Sequence, residues 1–244
     1  MLRLKRLAVL SIFAFCVITG FSFWVLGKHR LQPAPPQATA VFAPLAADSA
    51  HAVNISKSTI NPRWLARTAA QAGIPPRALQ AYAAGAALAN ATAPACRIGW
   101  NTVAAVGFIE TAHGTYGGGR LTASGLPSQP IIGPSLNGDG FAAIADSDGG
   151  TLDGDAVWDR AVGPMQFIPG TWQQAGRDAN GDGTADPHNI DDAALSAASY
   201  LCAGGRDLTT AEGWTDAIYS YNQSESYVAE VGEQAREYAE AAAG

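Results

Sequence analysis

Residues 102–119 read TVAAVGFIETAHGTYGGG, and the reading of this stretch decides the fold. The eight residues Thr102–Ile109 are uncharged and mostly apolar, and they predict the body of a helix that runs from Ile98 to Thr111. It ends in Glu110 and leaves through Gly114, Gly117, Gly118 and Gly119, which force a loop. Glu110 is also the sole acidic residue between Asp48 and Asp139. A carboxylate at the end of an apolar helix is costly unless it is paired, exposed or kept neutral. Desolvation raises its pKa, which is what a general acid needs near neutral pH. On this stretch alone two readings stay open: a general acid, or a carboxylate on the wet edge of a helix.

The 244 residues suffice for one large domain or two small ones, and their richness in Ala and Gly favours helices in close contact over an all-β fold. Residues 1–30 hold a basic tip (Arg3, Lys5, Arg6), an uncharged stretch from Leu7 to Gly27, and then Lys28, His29 and Arg30. The uncharged stretch is long enough to cross a bilayer, and the basic tip predicts export of the chain beyond Arg30. Phe21, Phe23, Trp24 and Leu26 stand where a cleaved signal peptide would carry small residues, so an uncleaved anchor is favoured over a cleaved one. Beyond Arg30, ten Lys and Arg face all 21 Asp and Glu. So acidic a body does not bind nucleic acid or anionic lipid through bulk charge. Cys96 and Cys202 form an even pair in an oxidising compartment and predict a disulfide, the alternative being two buried thiols.

Residues 31–60 are rich in Pro and Ala and predict an extended linker. Asn61-Pro62 opens a first helix that ends near Gly73, and Pro75-Pro76 opens a second that reaches about Asn90. Leu121 to Asp159 predicts a long functional loop studded with Asp139, Asp146, Asp148, Asp153 and Asp155; a solvated acidic loop and a second cation site both stay open, since the spacing matches no defined cation pattern. In AVGPMQFIPGTW (161–172), Gly163-Pro164 and Pro169-Gly170 frame Gln166, whose amide suits a ligand oxygen or the backbone equally well. Residues 178–192, DANGDGTADPHNIDD, open like a calcium loop. Asp178, Asn180 and Asp182 fall at positions 1, 3 and 5, Gly183 at 6, and Thr184 at 7 offers its carbonyl. Position 12 is Asn189 and not Glu, which leaves Asp191 or Asp192 to close a stretched loop; an Asx-turn-rich surface loop is the competing reading. Helices are expected over Ala193–Ala203, from Thr215 to Tyr221, and over Ser224–Ala243 with Tyr227, Val228 and Val231 on the inner side.

Four segments in order resemble one family: Phe108-Ile109-Glu110-Thr111 with its Tyr-Gly turn, Gly163–Pro169, Asp178–Asp192, and Ala217–Asn222 (AIYSYN). Residues 61–244 resemble the bacterial lytic murein transglycosylases of the membrane-bound B type, in the lysozyme-like superfamily. The resemblance implies a mainly α, lysozyme-like domain with long irregular loops and an EF-hand-like calcium loop, preceded here by the N-terminal transmembrane helix. It implies non-hydrolytic cleavage of the β-1,4 bond between N-acetylmuramic acid and N-acetylglucosamine in peptidoglycan glycan strands, outside the cytoplasm. Glu110 would be the single general acid and base. Gln166, Tyr221 and Asn222 would position the substrate, and Tyr116 would line the cleft. A structural calcium would be held by Asp178, Asn180, Asp182, Thr184 and, as last ligand, Asp192. The chain departs from the family's type member in a shorter catalytic core and in the loop 121–159. Two alternatives are a hydrolytic muramidase on the same fold and a non-catalytic peptidoglycan-binding module.

Overall fold

The computed structural model describes residues 53–54, 59–140 and 142–243. The expected membrane anchor (residues 1–30) and most of the expected linker lie outside them. Among the described residues no helix is long and apolar enough to cross a membrane. The end of the expected linker forms a two-residue antiparallel ladder, β1 (Val53–Asn54) with β2 (Thr59–Ile60), lying against the helix that begins after Pro75.

The rest is mainly helical, as expected, with long irregular loops. α1 (Pro62–Ala72) starts at Asn61, whose Oδ1 accepts from the amides of Arg63 and Trp64 at 3.0 and 3.3 Å, and stops at Gly73 in the left-handed region (φ 67°). α2 (Pro76–Thr92) buries an alanine-rich face with Leu79 and Tyr82. α3 (Trp100–Thr111) is the apolar stretch, and Trp100 to Gly107 are all buried. A helix apolar all round belongs at the centre, and α3 sits between α2 and the C-terminal helix (Glu225–Ala243). It starts two residues later than the sequence predicts because Asn90 grips Ile98 at both backbone groups, at 2.9 and 2.8 Å, and holds it out of the helix.

A long irregular stretch then leads to α4 (Pro169–Ala175), followed by α5 (Ile190–Leu201), α6 (Ala211–Tyr221) and α7 (Glu225–Ala243). α5 starts before the expected Ala193 because Asn189 caps it, accepting from the Asp191 amide at 2.9 Å. α6 starts before Thr215 because Thr210 caps it, accepting from the Gly213 amide at 3.1 Å. α4 is absent from the sequence reading. Its seven residues are too few to show a period, and its proline at N1 reads equally well as part of a turn. α2 and α5 meet backbone to backbone: a Cβ on Gly85 would come within 2.9 Å of the Ala194 carbonyl carbon.

Cys96 and Cys202 form the expected disulfide, with Cα atoms 5.3 Å apart across 106 residues of sequence. It ties the entry to α3 to the end of α5. In the chain-entropy model a loop of this length is worth about 4–5 kcal/mol as an upper figure.

Candidate active site

Glu110 lies in the last turn of α3, half-buried, where the negative end of the helix dipole disfavours a carboxylate. Burial pushes its pKa from 4.5 up to about 7, against the opposing pull of a hydrogen bond from Tyr227. That bond runs from the Tyr227 hydroxyl to Glu110 Oε1 at 2.6 Å. Glu110 faces a groove of about 310 Å³. Thr111 and Tyr116 join it in the lining, with Ile131, Ile132, Gly133, Pro134 and Gln166. Tyr116 sits in a 3-10 turn (Tyr116–Gly118), half exposed.

The opposite lip is a four-residue turn. Val162 and Phe167 exchange backbone hydrogen bonds at 2.8 and 3.0 Å, closing Gly163-Pro164-Met165-Gln166. Gly163 has φ 74°, and a Cβ there would fall 1.9 Å from the Pro187 carbonyl oxygen. Gln166 itself is left-handed (φ 49°), a conformation that non-glycine residues hold only when their surroundings impose it. Three hydrogen bonds do so. The Thr111 hydroxyl donates to the Pro164 carbonyl at 2.6 Å, the Tyr221 hydroxyl to the Met165 carbonyl at 2.7 Å, and the Gly163 amide to the Ile131 carbonyl at 2.8 Å. Thr111, the residue after Glu110, thus couples the acid directly to the Gln166 turn. Gln166 donates through Nε2 to the Gly163 carbonyl at 2.9 Å. Its Oε1 lies against Gly133, where a Cβ would come within 3.1 Å.

Glu110, Tyr116 and Gln166 therefore share the groove. Tyr221 stands behind the Gln166 turn and not among the lining residues; burial and the Glu110 charge push its hydroxyl pKa well up. Asn222 ends α6, its amide donating to the Ile218 carbonyl at 3.1 Å. The sequence reading missed the pairing of Tyr227 with Glu110, the Ile131–Pro134 wall and the Thr111 clamp. For Tyr227 the signal was its inward position on the last helix; for the wall it was an apolar pair between prolines.

The acidic loop braces that wall. Arg160 pairs with Asp155 at 2.9 Å and donates to the Gly133 carbonyl at 3.3 Å, while the Gly133 amide donates to the Ala161 carbonyl at 2.8 Å. In the same loop Asp146, Asp148 and the buried Asp159 bring carboxylate oxygens within 4.8 Å of one another, a set able to hold a cation. Among the described residues the carboxylates of the 178–192 loop do not converge in this way. There the acidic side chains other than Asp191 bind backbone. Asp178 accepts from Gly181 and Gly183, and Asp182 from Thr184. Asp192, fully buried, accepts from Ala179, Asn180 and Asp186 and so grips both limbs of the loop. Asp191, the other candidate to close the loop, is engaged with Arg77 instead.

Residues 143–215 match the family described as the Transglycosylase SLT domain. The match supports a lytic transglycosylase of the lysozyme-like superfamily. The match spans the acidic loop, the Gln166 turn, the 178–192 loop and α5, and stops within α6. Glu110 lies outside it and reaches the matched segment through the Thr111–Pro164 bond. No curated protein and no solved structure matches the chain. A lytic transglycosylase acts on peptidoglycan, and so outside the cytoplasm.

The burial of Glu110 weighs on folding. Below about pH 4.5 the group is protonated in both the folded and unfolded chain and costs nothing extra; above about pH 7 the folded chain must carry a half-buried anion. The difference is at most on the order of 3 kcal/mol. Glu110→Gln, which keeps an acceptor for Tyr227, is expected to raise the melting temperature at pH 8 by several degrees and to leave it unchanged at pH 4. Calorimetry at the two pH values checks this, and equal shifts at both would contradict the burial argument.

Proposed function

We propose that Glu110 is the single general acid and base of this transglycosylase and that the product is a 1,6-anhydromuramic end. The observation that carries the proposal is that Glu110 is the one carboxylate among the described residues lining the groove. Retaining and inverting glycosidases place a second carboxyl about 5–5.5 or 6.5–9.5 Å away, on the groove. With one acid, the nucleophiles must come from the substrate.

Tyr227 donates to Oε1, so the carboxyl proton is carried on Oε2. Protonated Glu110 gives this proton to the glycosidic oxygen, and the bond from that oxygen to C1 of the muramic residue breaks. The carbonyl oxygen of the muramic N-acetyl group bonds to C1. Glu110, now a carboxylate, takes the proton of the muramic O6 hydroxyl as O6 displaces the acetyl oxygen from C1. The anhydro ring closes, the N-acetyl group is restored, and Glu110 is protonated again with no water consumed. Gln166 and Tyr116 line the path of the sugar, Tyr221 holds the Gln166 turn from behind through the Met165 carbonyl, and Asn222 positions the sugar as the family resemblance implies. The Glu110 pKa near 7 keeps the acid charged with its proton up to neutral pH.

Glu110→Gln is expected to lose several orders of magnitude of activity on purified sacculi. The wild-type rate should fall as pH rises through about 7. Mass spectrometry of the fragments should show anhydro ends. Reducing ends would favour a muramidase, and binding without fragment release would favour a wall-binding module.

A structural calcium in the 178–192 loop is part of the same proposal. The donor set fits, being carboxylate, amide and carbonyl oxygen throughout. Burial and the neighbouring Asp178 push the Asp192 carboxyl pKa up, a cost that a bound cation offsets. Asp178, Asn180, Asp182, Thr184 and Asp192 would hold the ion, which would fix the loop beside the Gln166 turn. Millimolar calcium is expected to raise the melting temperature by several degrees, and Asp192→Asn to abolish the response; a wild-type melting point indifferent to calcium and to chelator would remove the ion from the proposal.

We further propose that Leu7–Gly27 anchors the enzyme to the membrane, as in the membrane-bound B type. Its uncharged length and basic flank support this. Membrane fractionation should recover the uncleaved chain, and a soluble form beginning beyond Arg30 would argue against it.

A further inference from the structure

The exit from α3 is unusual in a second way. Ala112, His113 and Gly114 are all left-handed, with φ 49°, 65° and 75°. For the first two this is unfavourable backbone, and it directly succeeds the residues that carry and couple the acid. His113 is held there by its ring. The side chain is buried, Nδ1 lies 3.2 Å from the Tyr82 hydroxyl, and Nε2 lies 2.9 Å from the Tyr238 hydroxyl. Burial lowers its pKa to about 4, so at working pH the ring is neutral, donating from one nitrogen and accepting at the other.

The two tyrosines come from different helices. Tyr82, on α2, packs its hydroxyl into the space above Gly107, where a Cβ would lie 2.2 Å away. Tyr238 lies on α7, eleven residues after Tyr227, which is three helical turns and so the same face. Val231 and Ala235 continue that face between them, both fully buried. Near the start of α3, Asn101 donates to the Ala235 carbonyl at 3.0 Å. The α7 face that touches His113 through Tyr238 therefore touches Glu110 through Tyr227.

We propose that His113 is a positioning residue for Glu110: by bonding Tyr82 and Tyr238 with its two ring nitrogens, it locks α7 against the end of α3 at the register where Tyr227 reaches the Glu110 carboxyl. The proposal rests on the reading of Glu110 as the acid. His113 touches no substrate; it acts through α7 and through the turn that carries Thr111. The titratable groups facing Glu110 are Tyr227 and Tyr221, and those facing His113 are Tyr82 and Tyr238.

Two variants of the full-length chain test this, with Glu110→Gln as reference. His113→Gly keeps the left-handed backbone at no steric penalty and removes both ring bonds. Tyr238→Phe keeps the ring and removes one hydroxyl. On purified sacculi both should lower kcat about tenfold or more, as slight misplacement of a catalytic group does. KM should stay within about twofold, since no lining residue changes. The alkaline limb of the pH–rate profile should move up, because a looser Tyr227 bond favours the carboxylate less. If His113 only supported the turn, glycine would restore kcat. Should His113→Gly fail to fold by circular dichroism, Tyr238→Phe decides. Wild-type kcat and an unmoved alkaline limb in the folded variants, with Glu110→Gln inactive, overturn the role of His113 alone; an active Glu110→Gln would overturn the assignment of the acid, and this proposal with it.

Discussion

The structure depends on holding a carboxyl group at the C-terminal end of a buried apolar helix. Three physical effects act on Glu110. Desolvation and the helix dipole both favour the neutral acid, and one hydrogen bond from Tyr227 favours the anion. Their balance leaves the group able to lose and regain a proton near neutral pH. The balance also weakens the fold at alkaline pH, which is the common relation between a reactive group and stability.

The chain around the acid is organised to keep that balance. α3 is central, with α2 and α7 packed along it: Tyr82 of α2 lies over Gly107, and α7 buries Tyr227, Val231, Ala235 and Tyr238. The polypeptide from residue 112 to residue 168 has no sheet to fix it; among the described residues it carries isolated bridges only. Individual side chains therefore fasten it: Thr111 and Tyr221 to the Gln166 turn, and Arg160 to the Gly133 wall. Each of these bonds ends on a backbone carbonyl, so each fixes the path of the chain and leaves the side chains of the groove to meet substrate. The left-handed residues at Ala112, His113 and Gln166 show where this fastening holds the backbone away from its preferred angles.

Two acidic segments flank the groove, and they differ in build. In the 178–192 loop one fully buried carboxylate, Asp192, binds amides from both limbs. In the 143–159 loop three carboxylates approach one another, and Arg160 neutralises a fourth, Asp155. The first is an oxygen-donor loop with alternate spacing that the sequence displays. The second arises when Asp159 folds back onto Asp146 and Asp148, well before it in sequence, and it has no local signature.

The sequence by itself determined the helical class, the entry and exit of α1 and the disulfide pair, and it displayed Glu110 as the one acid closing an apolar run, because each rests on short-range chemistry: caps, an even cysteine count, and an isolated charge. It placed Gln166 and Tyr116 on the groove through a family resemblance. It assigned Tyr221 to substrate, whereas in the fold the hydroxyl is taken up by the Met165 carbonyl. Only the tertiary structure decided which tyrosine meets Glu110, because Tyr227 lies 117 residues away and is one of four tyrosines in the last two helices, with Tyr219, Tyr221 and Tyr238. The resemblance names Asp192 over Asp191 for the 178–192 loop, and the physical reason appears only in the fold: Arg77 takes up Asp191, and it is distant in sequence and adjacent only once α2 and α5 have packed.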